Sequence, residues 1–328
     1  MGKNKSFFDF GNSIDTLTIK KCINKKCNDT ILIDKPVLMS DKKLINKIYS
    51  NSVRVTTFDN VTAILNSDKY PDIFGTNIDT ILLCNSIKNN YVKFKNIKNF
   101  LELGIGGGFI SKYIASKFKI NSGVLIDIDS QCINYAVNEL EMPKINNEPE
   151  KISYIYNPFK CKIIKKNGYT FMQGDGISIL NKFFMNSNKL DLLVCNPPYI
   201  PSSDSENDLD INAPNFWEGT RLLRYLVLNY NKFADKCIII VSSLSLVNRY
   251  VVSSLKKCKF KILDSHEVPI KVFNERGNIL DNPKTLKLLT PINKNITING
   301  HKFKRGTIKS NIENYYPYFH QVNILLLH

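Results

Sequence analysis

The stretch LLVCNPPYIP, Leu192 to Pro201, puts an amide, two prolines and an aromatic ring directly after an apolar, strand-like run. Asn196 brings a side-chain carbonyl oxygen, and Pro197 brings a main-chain one. Both are acceptors, and together they suit the two hydrogens of a planar NH2 group. Pro197 and Pro198 fix φ and stiffen the loop, so the acceptors stay where the strand end puts them. Tyr199 can stack on the planar group. Such a set could turn a nitrogen lone pair towards an electrophile by positioning and electrostatics, without a strong general base. Alone, Pro-Pro after a strand is also an ordinary stiff turn. The surrounding elements decide between the two.

A second stretch, LELGIGGGFIS from Leu101 to Ser111, places Gly104, Gly106 and Gly108 between a strand and a helix. Glycines allow a sharp turn and a close approach of ligand to main chain. The helix N-terminus adds a favourable dipole. Asp127 follows at the end of the next strand, 19 residues beyond Gly108. A carboxylate there can accept both hydroxyls of a ribose, so turn and acid together point to a nucleoside cofactor. The spacing is Gly-x-Gly-x-Gly. The hydride-transferring dinucleotide enzymes need Gly-x-Gly-x-x-Gly, so that class is set aside. Ser/His nucleophilic catalysis is set aside too: the four His (266, 301, 320, 328) come late and lie in no recognisable motif.

The elements that must hold these residues alternate from about Lys98 onward. KNFLELG, SGVLIDID, YTFMQGD, LDLLVC and KCIIIVSSL read as strands. Between them, GFISKYIASKF places Ile110, Ile114 and Phe118 on one helical face, and SQCINYAVNEL has Ser130 as a candidate N-cap. GISILNKFF is a short helix. In GTRLLRYLVLNYNKFA, Leu222, Leu223, Leu226, Val227 and Tyr230 share one side, and SLVNRYVVSSLKKC is helical. KFKILDSHEVPIKV and HQVNILLLH close the chain as strands with no clear helix between them. This pattern predicts an α/β, Rossmann-like sheet, mostly parallel, with the last strand antiparallel. Residues 1–95 read as an N-terminal substrate-recognition and lead-in region, and 96–328 as the catalytic domain. Surface insertions are expected near 141–168 and 273–318, both rich in Asn, Lys and Pro.

Composition narrows the setting. The chain has 328 residues, 43% of them hydrophobic, and no run of eighteen apolar residues, so no membrane span is expected. The opening MGKNKS fits a myristoylation pattern, but one short enough to occur by chance. The eight scattered cysteines read as small core residues of a reducing, cytoplasmic protein, and no structural metal is expected. The net charge is +16, yet only six of the 45 basic residues are Arg. A drift in base composition explains abundant Lys, Asn and Ile as well as a polyanionic partner such as nucleic acid or a ribosome-associated target does. Arg would serve better for phosphate forks, and it is scarce.

The glycine spacing, with acidic Glu102 before it, resembles the S-adenosylmethionine (SAM) loop of class I methyltransferases. From about Pro71 to Ser245 the chain resembles those with an Asn-Pro-Pro-Tyr motif, and most of all the peptide-chain-release-factor glutamine methyltransferases. VCNPPYIP, FWEGTRLLRYLVLNYNKF and DIFGTNIDTILLCNSI carry that likeness, with Asp79-Thr80 matching an acid-Thr pair. The resemblance implies SAM as cofactor, bound by Glu102, Gly104, Ile105, Gly106, Gly107, Gly108 and Asp127. It places Glu102 near the methionine amine and Asp175, in GDG, near the adenine amine. Asn196, Pro197, Pro198 and Tyr199 become the catalytic set. The implied acceptor is a glutamine of a release factor or similar protein.

Three features set the chain apart from that family, the first being an N-terminal region with no helical-bundle pattern to match the family's. The lead-in GTNIDTILL also looks like enzymes that methylate adenine in transfer RNA, and the lysine-rich insertion before the final strand is foreign to the family. An exocyclic amine of adenine or guanine in RNA or DNA is therefore the alternative acceptor, favoured by the charge and by GHKFKRGTIKS. An inactive methyltransferase-fold binding module is the alternative from another class, and the intact glycine turn, Asp127 and Asn-Pro-Pro-Tyr speak against it. The acidic SSDSENDLD after the motif reads as a flap or a plain solvated loop. The oligomeric state is not legible.

Overall fold

The computed structural model describes residues 17–23, 26–33, 53–66, 69–70, 73–145, 153–156, 161–199, 218–269, 273–274, 277–278, 294–306, 308–309 and 318–328. SSDSENDLD lies outside them. In chain order the main elements are β1 (Leu17–Ile23), β2 (Lys26–Ile33), β3 (Val53–Phe58), β4 (Val61–Asn66), α1 (Ile78–Asn89), α2 (Tyr91–Phe94), β5 (Asn99–Leu103), α3 (Phe109–Lys117) and β6 (Ser122–Asp127). Next come α4 (Ser130–Asn138), β7 (Ser153–Tyr156), β8 (Lys162–Lys166), β9 (Tyr169–Gln173), α5 (Gly176–Ile179) and β10 (Leu192–Cys195). The rest are α6 (Glu218–Asn229), β11 (Cys237–Ser242), α7 (Arg249–Lys256), β12 (Phe260–Pro269), β13 (Lys294–Ile298), β14 (His301–Arg305) and β15 (Tyr318–Leu327). The chain divides into two compact units, residues 1–84 with 105–174, and residues 85–104 with 175–328. Among the described residues no helix is long and apolar enough to cross a membrane.

In the first unit, β6 and β9 run parallel, and β8 and β7 continue antiparallel beside β9. The β7–β8 hairpin falls within 141–168 and buries Ile163 and Ile164. A separate antiparallel sheet has the order β2-β1-β3-β4. It is tied to the helices by aromatic hydroxyls: Tyr113 Oη donates to Asp59 Oδ2 at 3.0 Å, and Tyr135 Oη donates to the Ile64 carbonyl at 2.6 Å. Lys117 pairs with the same Asp59 at 2.7 Å. The face expected of α3 is confirmed, since Ile110, Ile114 and Phe118 are all buried. The cap of α4 is Asp129, not Ser130, because the Asp129 carboxylate accepts from Gln131 N at 2.8 Å.

In the second unit, β5, β10 and β11 are parallel, and β15 lies antiparallel between β11 and β12. The last strand therefore inserts against the direction of its neighbours, as the missing crossover helix predicts. Parallel strands covered on both faces need continuous apolar runs. Leu192–Cys195 and Ile238–Val241 satisfy this, and every one of these residues is fully buried. The arrangement is the Rossmann-like α/β fold.

One carboxylate pins the start of β5. Asp191 Oδ2 accepts from Lys98 N at 2.7 Å and from Asn99 N at 2.8 Å. Removing it strands two part-buried donors, each costing about 1–3 kcal/mol. Asp191→Ala should lower the unfolding free energy by about 2 kcal/mol in urea titration, with the slope unchanged.

Candidate active site

The glycine turn of the first unit is built around Asp127. Its Oδ2 accepts from Gly106 N at 3.0 Å, and its Oδ1 accepts from Asp129 N at 2.9 Å. The Cys132 thiol is a third donor to the same carboxylate, which leaves about one of its four lone-pair sites for a further donor. Burial pushes the Asp127 carboxyl above its usual range, and the two backbone N–H bonds and the Cys132 thiol pull it back. The Cys132 thiol is itself held neutral by burial beside Asp127 and Asp129.

Gly106 and Gly108 have the left-handed backbone that favours glycine, φ +48° and +67°. Gly108 caps α3, and Gly108 N donates to Ile105 O at 2.7 Å. The lead-in segment closes on this turn, with Gly107 N donating to Phe74 O at 2.9 Å. A Cβ on Gly106 would stand 2.7 Å from that same Phe74 carbonyl. Gly106→Ala therefore combines a backbone cost of about 1–2 kcal/mol with a clash against main chain. We expect at least a tenfold loss of SAM affinity by calorimetry, in a protein that still unfolds cooperatively.

The remaining expected residues lie in the second unit. Glu102 is 1% exposed on β5, opposite Val194 of β10. Gly104 has nothing within 4 Å of where a side chain would stand, so a ligand could approach its main chain there. Asp175 caps α5: its Oδ1 accepts from Ser178 N at 2.9 Å and from Ser178 Oγ at 2.7 Å. Its Oδ2 is 3.6 Å from Arg221. One oxygen is thus engaged by the cap, and the other faces a cation. Asn196 to Tyr199 leave β10 as non-regular chain, with Asn196 half-buried, Pro197 and Tyr199 buried and Pro198 exposed. The acid-Thr pair, Asp79 and Thr80, is buried in α1.

Sequence reading missed His320. Its ring lies 5.0 Å from that of Tyr199, tilted by 41°. It comes from β15, and no local motif marks it.

The groups present fit a nucleoside cofactor on the Asp127 side. A buried carboxylate is held by two N–H bonds beside a left-handed glycine turn, which is what a ribose diol and a close main-chain contact require.

No protein-family model matches the chain. A curated relative, a candidate protein N5-glutamine methyltransferase of Methanocaldococcus jannaschii, is 26% identical over 201 residues, covering 59% of this chain and 83% of the relative. Among solved structures, a candidate RNA methyltransferase of Pyrococcus horikoshii aligns with TM-score 0.40 at 12% identity, over 76% of this chain and 83% of that one. A candidate SAM-dependent methyltransferase of Streptococcus mutans aligns with TM-score 0.42 at 10% identity, over 87% and 64%. The sheet, the glycine turn with its acid and the curated relative agree on one class: the chain is a SAM-dependent methyltransferase.

Proposed function

We propose that this enzyme methylates a planar amide nitrogen, and that its acceptor is a glutamine side chain of a peptide chain release factor or a similar protein. The observation that carries the reading is Asn196-Pro197-Pro198-Tyr199 at the carboxyl end of a buried parallel strand. In open α/β sheets that edge is where ligands are handled. The name of the curated relative supports the choice of glutamine.

SAM, when bound, supplies the methyl group. In the first unit, Asp127 would hold its ribose and the main chain from Ile105 to Gly108 would line it; Glu102, Gly104 and Asp175 of the second unit are the further cofactor candidates that the sequence resemblance names. Asn196 Oδ1 and the Pro197 carbonyl accept the two hydrogens of the acceptor NH2. That orients the nitrogen lone pair out of the plane. Tyr199 stacks on the amide. No side chain need act as a strong base, because the proton is acidic only after transfer.

The basic charge favours a second reading, an exocyclic amine in RNA or DNA. Radiolabelled SAM offered with a purified release factor and, separately, with transfer RNA tests both. Label on release-factor glutamine supports the first reading. Label on RNA, with an affinity that falls steeply with salt, replaces it with the second.

A further inference from the structure

Tyr199 is the residue of the motif that an acceptor would lie against, and something must fix its ring. His320, 2% exposed, approaches it at 5.0 Å between ring centroids. The imidazole is anchored on its other side, where Ser242 Oγ lies 2.8 Å from His320 Nδ1. Ser242 Oγ already accepts from Leu244 N at 3.0 Å. Its hydroxyl hydrogen is therefore available to Nδ1, an arrangement that suits the tautomer protonated at Nε2. Burial pushes the imidazole down to about 3, so it stays a neutral aromatic partner.

The residues that follow Ser242 and His320 are tied together by hydrogen bonds. Ser243 N donates to Gln321 O at 2.7 Å, and Ser243 Oγ donates to Gly306 O at 2.6 Å. Gln321 N donates back to Ser243 Oγ at 2.9 Å. The residue after β11, the start of β15 and the residue after β14 are thus hydrogen-bonded together, directly next in sequence to Ser242 and His320.

We propose that His320 and Ser242 are positioning residues that set the plane of Tyr199 for stacking on the acceptor. The proposal rests on the reading of Asn196 to Tyr199 as the acceptor-binding motif. A buried His–Ser pair could instead do no more than fill the core, and the two roles differ in a measurable way. A core filler would change stability without acting through Tyr199.

The test is a double-mutant cycle on turnover, with release factor as acceptor. His320→Phe keeps a ring but loses the bond to Ser242. It should lower kcat about 10- to 100-fold, the scale of a small misplacement, and leave the calorimetric Kd for SAM unchanged. In a Tyr199→Leu background the same substitution should add nothing further. His320→Asn, which restores a polar atom near Nδ1, should recover part of the loss. Ser242→Ala replaces His320→Phe in the cycle if the latter does not fold. Full kcat in His320→Phe, or equal losses with and without the Tyr199 ring, overturns the proposal.

Should the wild-type enzyme leave release factor unlabelled, the acceptor reading fails and NMR judges the positioning role. The His320 imidazole signals should stay neutral through mildly acidic pH and shift when Tyr199→Leu is introduced. No shift overturns the proposal.

Discussion

Asn196→Ala is expected to cut turnover about 100- to 1,000-fold, the usual cost of removing one pre-organised hydrogen-bonding group at a reacting centre. SAM affinity should stay at the wild-type value, because Asn196 is assigned to the acceptor and not to the cofactor. The reason for so large an effect is geometric. One acceptor of the pair, the Pro197 carbonyl, survives the substitution, but a single acceptor leaves the NH2 free to rotate. Asn196→Asp keeps an oxygen in the same place and should fall between alanine and wild type. Single-turnover rates measured beside calorimetric titrations separate the two effects. Equal losses in both would move Asn196 from acceptor to cofactor.

Asp127→Ala should act the other way, weakening SAM binding by about 100-fold. The estimate follows from hydrogen bonding to a charged group at about 1.5 kcal/mol per bond or more. Asp127→Asn should also bind poorly. An amide has one oxygen, yet two N–H groups, from Gly106 and Asp129, need acceptors there. The acid has a pH signature as well. Burial raises its pKa, so the carboxylate is present above that pKa and lost as pH falls through it. SAM affinity should therefore begin to fall at a higher pH than an ordinary Asp would give. In Asp127→Ala that acid-side fall should be absent.

The parallel core was legible because its signals are local. Ile238 to Val241 can only be a strand covered on both faces, and the Gly104 to Gly108 turn announces a helix start by composition alone. The antiparallel last strand was readable from a missing element, the helix that a parallel partner would need. The cap of α4 was misread by one residue, since Asp129 and Ser130 are both good caps and only the backbone geometry chooses. The β7–β8 hairpin was hidden in a stretch whose Asn, Lys and Pro content reads as loop. Its adjacent Ile163 and Ile164, which face opposite sides of the strand, gain meaning only once β9 is beside them. His320 was beyond sequence reading altogether. Its partners Ser242 and Tyr199 lie far back along the chain, and only the insertion of β15 beside β11 unites them.

Asp175 was legible by position but not by partner. Its place after the third parallel-type strand made it a cofactor candidate. The same carboxylate also caps α5 and faces Arg221. A residue that serves the chain's own backbone needs no ligand to explain its place.

The measurement that tests the central claim most directly is tandem mass spectrometry of a purified release factor after incubation with the enzyme and SAM. The account predicts a mass gain of one methyl group on the side chain of a single glutamine, absent with Asn196→Ala enzyme. An unmodified release factor, treated with enzyme that binds SAM and methylates transfer RNA instead, would contradict it.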